Sequence, residues 1–473
     1  MTPTIPHSAP RHYADRDGNF DAGQAASSIR LQLHNNDLES LKHALEGVLA
    51  VDLADVLTRL SPTQQAGVLS LMGRDERAMV FGYLPLRLQT ELVAGMTVDE
   101  VVELLKFMSA DERVDLYNTL PAERCERLLP ALAQAERDDI RRLASYPPNS
   151  VGALMTSEYA TLTPKLTASQ AIDLLRKVAP DKETIYTSYV VDHERHLIGV
   201  ATLRRLILAT PDTLVAELMA TSPITVFVDA EQREAANKIA RYDFIALPVI
   251  DRDNRIVGIV TSDDAMDVVE AEATEDFHKS GGTLGGVTMS LKDATIGLLY
   301  QQRVYWLVLL VFANLFSGAG IAYFEDLIAA NMSLVFFLPL LIASGGNAGA
   351  QSATLMVRAM ATGDVQMGDW ASMLGRELTV SLLLGVTMAL AVSGIGLFRG
   401  GPAIAVVVAT TMLMIVLVGS VMGMSLPFLL SRFKADPASA SSPLITSLAD
   451  GVGILIYFGI ATVMLSWMGH AVA

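Results

Sequence analysis

Beginning near residue 301, the chain carries five long apolar segments, near 301–323, 332–357, 374–398, 402–430 and 442–468. Each reaches the roughly 20 residues a helix needs to cross a bilayer core. Backbone groups in lipid must be satisfied within the segment, so the last third of the chain is expected to fold as membrane-spanning helices. Deep in the fifth segment sits Asp450, in a run from Ser442 to Ala461 that holds no Lys or Arg. A carboxylate at that depth costs roughly 2.5–3.5 kcal/mol by insertion scales, and so faces water, an ion or a partner. Gly451 and Gly453 beside it remove side-chain bulk and are expected to allow close helix approach. A cation pathway through a membrane is the first reading this pattern supports.

Charge sets the orientation. Arg358 and Arg376 flank the loop between the second and third segments, and Arg432 and Lys434 mark the loop between the fourth and fifth, while Glu325 and Asp326 lie on the opposite side. The positive-inside bias puts the N-terminal part in the cytoplasm, and an odd number of spans puts the C-terminus outside. Net charge is −16, and all but one unit of it lies before residue 301. Such acidity argues against nucleic-acid binding and suits cation binding, with simple solubilisation as the alternative. Cys125 is the only cysteine, which excludes an intrachain disulfide and fits the cytosol. The start of the chain shows no signal-peptide pattern. An enzyme is not expected: His470 is the one histidine after residue 300, and no Ser or Asp there has a base beside it.

Residues 1–30, rich in Pro, His, Ala and Gly, read as a disordered segment. Residues 31–146 read as a helical N-domain of solenoid type. Within it Leu71–Pro85 aligns with Phe107–Pro121, a period of 36 residues that suits a stacked helix-turn-helix unit. A second repeat follows at 147–211 and 212–262. Leu154-Met155 and Leu218-Met219 open the two halves, and each half contains a β-branched run, an Asp and a Gly-hydrophobic step at Gly199 and Gly258. This pair resembles tandem CBS domains, α/β modules that sense adenine nucleotides or ions. The resemblance places Thr261 near phosphates, Asp264 near a ribose and Arg204 as a third nucleotide-binding candidate, so ATP is a candidate ligand. In the first half Arg205 replaces the ribose acid. A purely structural, dimer-forming pair is the alternative.

Residues 263–282 connect these modules to the membrane part. Ser262–Lys279 reads as one helix, with Met266, Val269, Ala273 and Phe277 at helical spacing as an apolar stripe. Seven carboxylates (Asp263, Asp264, Asp267, Glu270, Glu272, Glu275 and Asp276) crowd its other faces, where like charges three and four residues apart repel. Either this is a solvated face, or it is a surface that needs divalent cations to pack.

At this point the chain resembles one family. Pro339-Leu-Leu-Ile-Ala-Ser-Gly-Gly-Asn347-Ala-Gly-Ala-Gln351 in the second span and Asp450-Gly-Val-Gly-Ile-Leu-Ile-Tyr457 in the fifth, together with the CBS pair and the helical N-domain, resemble the MgtE family of magnesium channels over about 35–473. The resemblance implies a multidomain homodimer: an α-helical solenoid N-domain, tandem α/β CBS domains, an acidic plug helix, and a five-helix all-α transmembrane domain at 283–473. It implies Asp450 as the pore acid, with Thr446 and Gly453 one helical turn to either side on the same stripe, and Asn347 with the Gly346 and Gly349 backbone lining the path. Interhelical hydrogen bonding is the plainer role for Asn347 and Gln351. Mg²⁺ sheds water reluctantly, so a pair of such acids would hold it hydrated. Regulatory metal ligands would fall on Asp111, Asp115, Asp243, Asp264, Asp267, Glu272, Glu275, Glu377 and Asp436. Arg233 stands where the pattern expects an acid near Glu231, so one such site would be weakened.

The expected protein is therefore a homodimeric Mg²⁺ channel embedded in the lipid of the plasma (inner) membrane, closed by cytosolic Mg²⁺. The alternative is a CBS-regulated, sodium-coupled divalent-cation exchanger, which would need more ionisable groups in its spans. Hard oxygen ligands do not by themselves separate Mg²⁺ from Mn²⁺, Co²⁺ or Ni²⁺.

Overall fold

The computed structural model describes Tyr13, residues 20–283 and residues 294–468. The chain divides into two compact units, Met1–Val269 and Glu270–Ala473.

The first unit opens with ten helices: α1 (Ala22–His34), α2 (Leu38–Leu45), α3 (Ala50–Thr58), α4 (Pro62–Ser70), α5 (Arg74–Gly82), α6 (Leu86–Ala94), α7 (Val98–Phe107), α8 (Ala110–Thr119), α9 (Ala122–Ala131) and α10 (Gln134–Leu143). Residues 1–12 and 14–19 of the segment expected to be disordered lie outside the described residues. Its last part is corrected: Asp21 caps α1 by accepting from Gly23 and Gln24, and Ala25, Ala26 and Ile29 are buried in the core. Alanine-rich composition without charge looked unstructured, but it suits a helix that packs closely on its neighbours.

The 36-residue repeat is also corrected. Helices α3 to α10 start at residues 50, 62, 74, 86, 98, 110, 122 and 134, a constant step of 12 residues. The repeating unit is one short helix and its loop, and the alignment seen in the sequence spans three of them. Odd helices pack on odd ones and α6 and α10 each pack on α8, which makes the array a solenoid. Its short helices end inside the domain, leaving carbonyls that need donors. A side chain at the same place in most units supplies them, Val101 being an exception. Gln65 Nε2 donates to the Leu57 and Leu60 carbonyls at 2.9 and 3.1 Å. Gln89 donates to Leu84 at 2.8 Å. Arg113 donates through Nε to Leu105 and through Nη2 to Met108, both at 2.8 Å. Cys125, the lone cysteine, fills the same slot with its thiol 3.5 Å from the Tyr117 carbonyl, and Arg137 donates to Leu132 at 3.0 Å.

Two small sheets follow. The first runs β1 (Tyr159–Leu162), β2 (Thr184–Val191), β3 (Leu197–Thr202), β4 (Ala220–Thr221); the second runs β5 (Val226–Phe227), β6 (Ala246–Ile250), β7 (Ile256–Thr261). Helices α11 (Val151–Leu154), α12 (Ala168–Val178), α13 (Leu203–Leu208), α14 (Val215–Leu218) and α15 (Gln232–Tyr242) complete them. The two halves exchange edges. β4, at the start of the second half, pairs with β3 of the first, and Thr156, at the start of the first, pairs with Ile259 of β7. This explains the paired Leu-Met and Gly motifs. A Cβ on Gly258 would lie 2.5 Å from Met155 Sδ and 2.9 Å from the Thr156 carbonyl, and one on Gly199 would lie 2.8 Å from Met219 Sδ. Each methionine sits in the notch that a glycine leaves in the other half.

The acidic helix forms as expected, as α16 (Ser262–Ser280). Its stripe does not reach the core: Met266, Val269 and Phe277 are exposed, and Ala265 and Val268 are buried instead.

The second unit contains α17 (Ile296–Tyr323), α18 (Glu325–Ala330), α19 (Ser333–Ala361), α20 (Trp370–Arg432) and α21 (Ser442–Trp467). Residues 284–293 and 469–473, including His470, lie outside the described residues. Four of these helices are long and apolar enough to cross a membrane. At 63 residues, α20 would extend about 95 Å if straight, three times a bilayer core. It instead breaks at Gly401, whose φ of 79° is non-helical and which is followed by Pro402, so it supplies two spans and the count of five holds. The tightest approach lies away from Gly451 and Gly453. Gly345 and Gly349 of α19 face Gly419 and Gly423 of α20, and a Cβ on Gly349 would be 2.8 Å from the Gly419 carbonyl. Two small-xxx-small stripes bring these backbones together, as membrane helices without a hydrophobic drive require. By contrast, the nearest neighbour to a Cβ on Gly451 is Ser317 Oγ at 3.6 Å, an ordinary contact.

Candidate functional site

In the membrane unit α19 and α21 pack together and bring three of the expected residues into one place. A Cβ on Gly346 would lie 2.9 Å from Thr446 Cγ2 and 3.5 Å from Asp450 Oδ1, so the carboxylate lies beside the groove that Gly346 leaves open. Asp450 is half-buried and makes no hydrogen bond or ion pair with the described residues. Thr446 turns its hydroxyl to its own helix, donating to the Ser442 carbonyl at 2.9 Å. Gly453 belongs to the opposite contact, 3.7 Å from Ile415 Cδ1 of α20 when given a Cβ. Asn347 and Gln351 are exposed, on a face of α19 that this chain does not cover. Polar amides so placed in a membrane helix need water or a partner chain. Buried Tyr457 braces the site, its hydroxyl donating to the Leu334 carbonyl at 2.8 Å.

The first unit holds a second constellation. Asp111 of α8 meets Asp263 and Asp264 of α16 electrostatically, with Asp115 joined to it along α8, together with three acids the sequence reading did not single out, Glu112, Glu158 and Glu183. Burial, then repulsion from Asp111, pushes Asp115 up to about 6. The same causes push Glu183 up to about 7 and Asp264 up to about 8. Burial also raises Asp111, and its Oδ1 is buried without a hydrogen-bond partner. Two features moderate the repulsion. Asp111, Asp263 and Asp264 lie in first turns of helices, where the helix dipole favours an anion. Arg113 reaches Glu158 at 3.6 Å. The cluster draws on four separate segments, so no local spacing announces it.

The remaining candidates are dispersed. Asp243 is exposed and ends α15 in a left-handed conformation, φ 53°; Asp267 is exposed and Glu272 half-buried on α16, and Glu377 half-buried on α20. Glu275 and Asp436 share a cation of the chain's own: Lys279 Nζ lies 2.5 Å from Glu275 Oε1 and 2.5 Å from Asp436 Oδ2. Burial works against that ammonium, but Asp436 and then Glu275 outweigh it and hold its pKa above the ordinary range. Among the described residues no three His, Cys, Asp or Glu converge to ligate one metal ion directly. At the nucleotide candidates, Thr261 Oγ1 donates to Asp264 Oδ2 at 2.5 Å and Arg204 is exposed.

Comparison with known proteins covers almost the whole chain. The divalent cation transporter family MgtE matches residues 338–460, the MgtE intracellular N domain matches 49–149, and CBS domains match 151–212 and 215–271. The magnesium transporter MgtE of Thermus thermophilus is 37% identical over 93% of this chain and 98% of its own length. That of Bacillus subtilis is 30% identical over 92% of this chain and 96% of its own. A solved soluble part of a magnesium transporter, 30% identical, aligns over 53% of this chain and 99% of its own with a TM-score of 0.50. With its N-domain, CBS pair and helical membrane region all matched in order, the chain belongs to the MgtE family of magnesium transporters.

Proposed function

We propose that the protein is a homodimeric Mg²⁺ channel of the plasma membrane, with the N-terminus in the cytoplasm and the C-terminus outside, closed by cytosolic Mg²⁺. The observation that carries the pathway is Asp450: a carboxylate in a membrane helix, beside the Gly346 groove and unpaired within the described residues. Two chains apposed through the faces bearing Asn347 and Asp450 would enclose these polar groups. Two carboxylates would then attract a divalent cation while leaving it its water, since Mg²⁺ dehydrates reluctantly.

Closure rests on the acidic cluster of the first unit. With no cation, Asp111, Asp264, Glu183 and their neighbours repel, and that repulsion favours states in which α8 and the start of α16 separate. Mg²⁺ neutralises the cluster and so binds the assembled state better, which is the differential affinity a switch requires. The unpaired, buried Oδ1 of Asp111 supplies a hard oxygen in need of a cation. Lys279 makes one junction, Glu275 to Asp436, independent of Mg²⁺. ATP binding through Thr261 and Arg204 remains part of the proposal only as a modulator, since Asp264 faces the acidic cluster.

The test is passive Mg²⁺ flux into proteoliposomes, wild type against Asp450→Asn. Loss of at least tenfold in the variant, with no sodium or proton gradient needed, supports the channel; flux that demands such a gradient supports an exchanger instead.

A further inference from the structure

A cavity of about 570 Å³ opens in the membrane unit between the end of α20 and the start of α21. Its size falls within the roughly 300–1,000 Å³ of small-molecule sites. Met422, Leu426, Leu429 and Leu448 form apolar walls, with Trp370 and Arg432 also lining it. It is a groove and not a closed void, because Trp370, Leu429 and Leu448 are exposed by 40%, 50% and 41%.

Because α20 reverses at Gly401, its first residue Trp370 and its last residue Arg432 lie at the same face of the membrane. Arg358, Arg376 and Lys434 belong to that face too, which makes it the positive, cytoplasmic one. Tryptophan at this level is typical of the bilayer interface. Arg432 is exposed and makes no hydrogen bond or ion pair with the described residues. A guanidinium at the membrane interface attracts an anion, and the cytoplasmic leaflet supplies anionic headgroups. The groove beneath it is apolar and opens sideways between two spans, where a hydrocarbon chain is the available filling.

We propose that this groove binds an anionic phospholipid, with an acyl chain along the α20–α21 wall and the phosphate on Arg432. Lipid so bound would touch Leu448, two residues from Asp450, and so lies close to the proposed pathway.

The test uses the full-length protein in neutral detergent, titrated with phosphatidylglycerol or phosphatidylcholine while thermal unfolding is followed. The wild type is expected to bind phosphatidylglycerol at least about fivefold more tightly, what one interfacial cation contributes. Arg432→Gln should lose that preference and Arg432→Lys should keep it, while Ser425→Trp, at another residue of the groove's lining, should fill it and weaken both lipids. Equal affinity for the two lipids in the wild type, or an unchanged preference in Arg432→Gln, would overturn the proposal. So would glycerol phosphate alone acting as well as the lipid. Disulfide cross-linking of Leu448→Cys between two copies, unaffected by added phosphatidylglycerol, would assign the groove to a second copy and equally overturn it.

Discussion

Replacing Arg113 by Met separates two roles that one side chain combines. The guanidinium is 6% exposed and donates to the carbonyls of Leu105 and Met108, the open end of α7, at 2.8 Å each. Methionine fills the space but leaves both carbonyls buried without a donor, at about 1–3 kcal/mol apiece. It also removes the cation 3.6 Å from Glu158. Since relaxation and water recover part of this, the net cost should be about 3–5 kcal/mol. Arg113→Gln is the informative partner, because Gln65 already satisfies the equivalent pair of carbonyls. It should lose only the charge pair, about 1 kcal/mol for a partly exposed contact. The two variants then differ by about 2–4 kcal/mol, roughly 30- to 700-fold in an opening equilibrium. Amide hydrogen exchange of α7 and α8 in the full-length protein reads that equilibrium. If Gln proves as costly as Met, the donor ladder is not what holds the solenoid, and the charge beside Glu158 is.

The acidic cluster gives a pH dependence of definite sign. Asp115, Glu183 and Asp264 hold their protons up to about 6, 7 and 8 in the folded state, against roughly 4 when unfolded. Their contribution is therefore fully present below pH 4 and lost as pH rises through 6 to 8; in chelator, protection of α8 amides should fall over that window, and saturating Mg²⁺ should restore it. Protection that rises with pH in chelator would contradict the cluster. Gly349→Ala places a methyl 2.8 Å from the Gly419 carbonyl and should destabilise the membrane unit by about 1–3 kcal/mol, seen as a lower melting temperature in detergent. Gly451→Ala, with its nearest neighbour at 3.6 Å, should be nearly silent, and equal effects would refute the packing argument. Gly258→Val should wedge Met155 and the Thr156 carbonyl from β7, at about 1–3 kcal/mol; Met155→Ala in the same chain should relieve part of that cost, and proteolysis of the linker after α10 is the readout.

Run length and charge made the membrane spans legible, and the isolated acid at Asp450 was visible because lipid tolerates so few. Helical periodicity likewise announced α16 as a helix, though it pointed to the stripe of Met266, Val269 and Phe277 while Ala265 and Val268 are the residues that pack. Long-range contacts were less visible. The 12-residue step of α3 to α10 was hidden because its donor slot holds Gln, Arg, Val101 or Cys, chemically unlike residues with one geometric duty; aligning Leu60, Met72, Leu84, Met96, Met108, Leu120 and Leu132, each before a helix start, would have exposed it. Gly345, Gly349, Gly419 and Gly423 form two small-xxx-small pairs that could have been matched, but nearness to Asp450 drew attention to Gly451 and Gly453. Glu158 and Glu183 carry no local signal at all. They join Asp111 and Asp264 only through the folding of the CBS halves against the solenoid.

On the proposed mechanism, neutralising the cluster around Asp111 and Asp264 closes the path past Asp450. Mg²⁺ flux through the full-length protein in oriented liposomes, measured as Mg²⁺ is raised on the side of the N-terminal unit, tests it in wild type and in Asp111→Asn/Asp264→Asn. Wild-type flux should fall as that Mg²⁺ rises, while flux through the double variant should hardly respond. The same Mg²⁺ dependence in both proteins would contradict it.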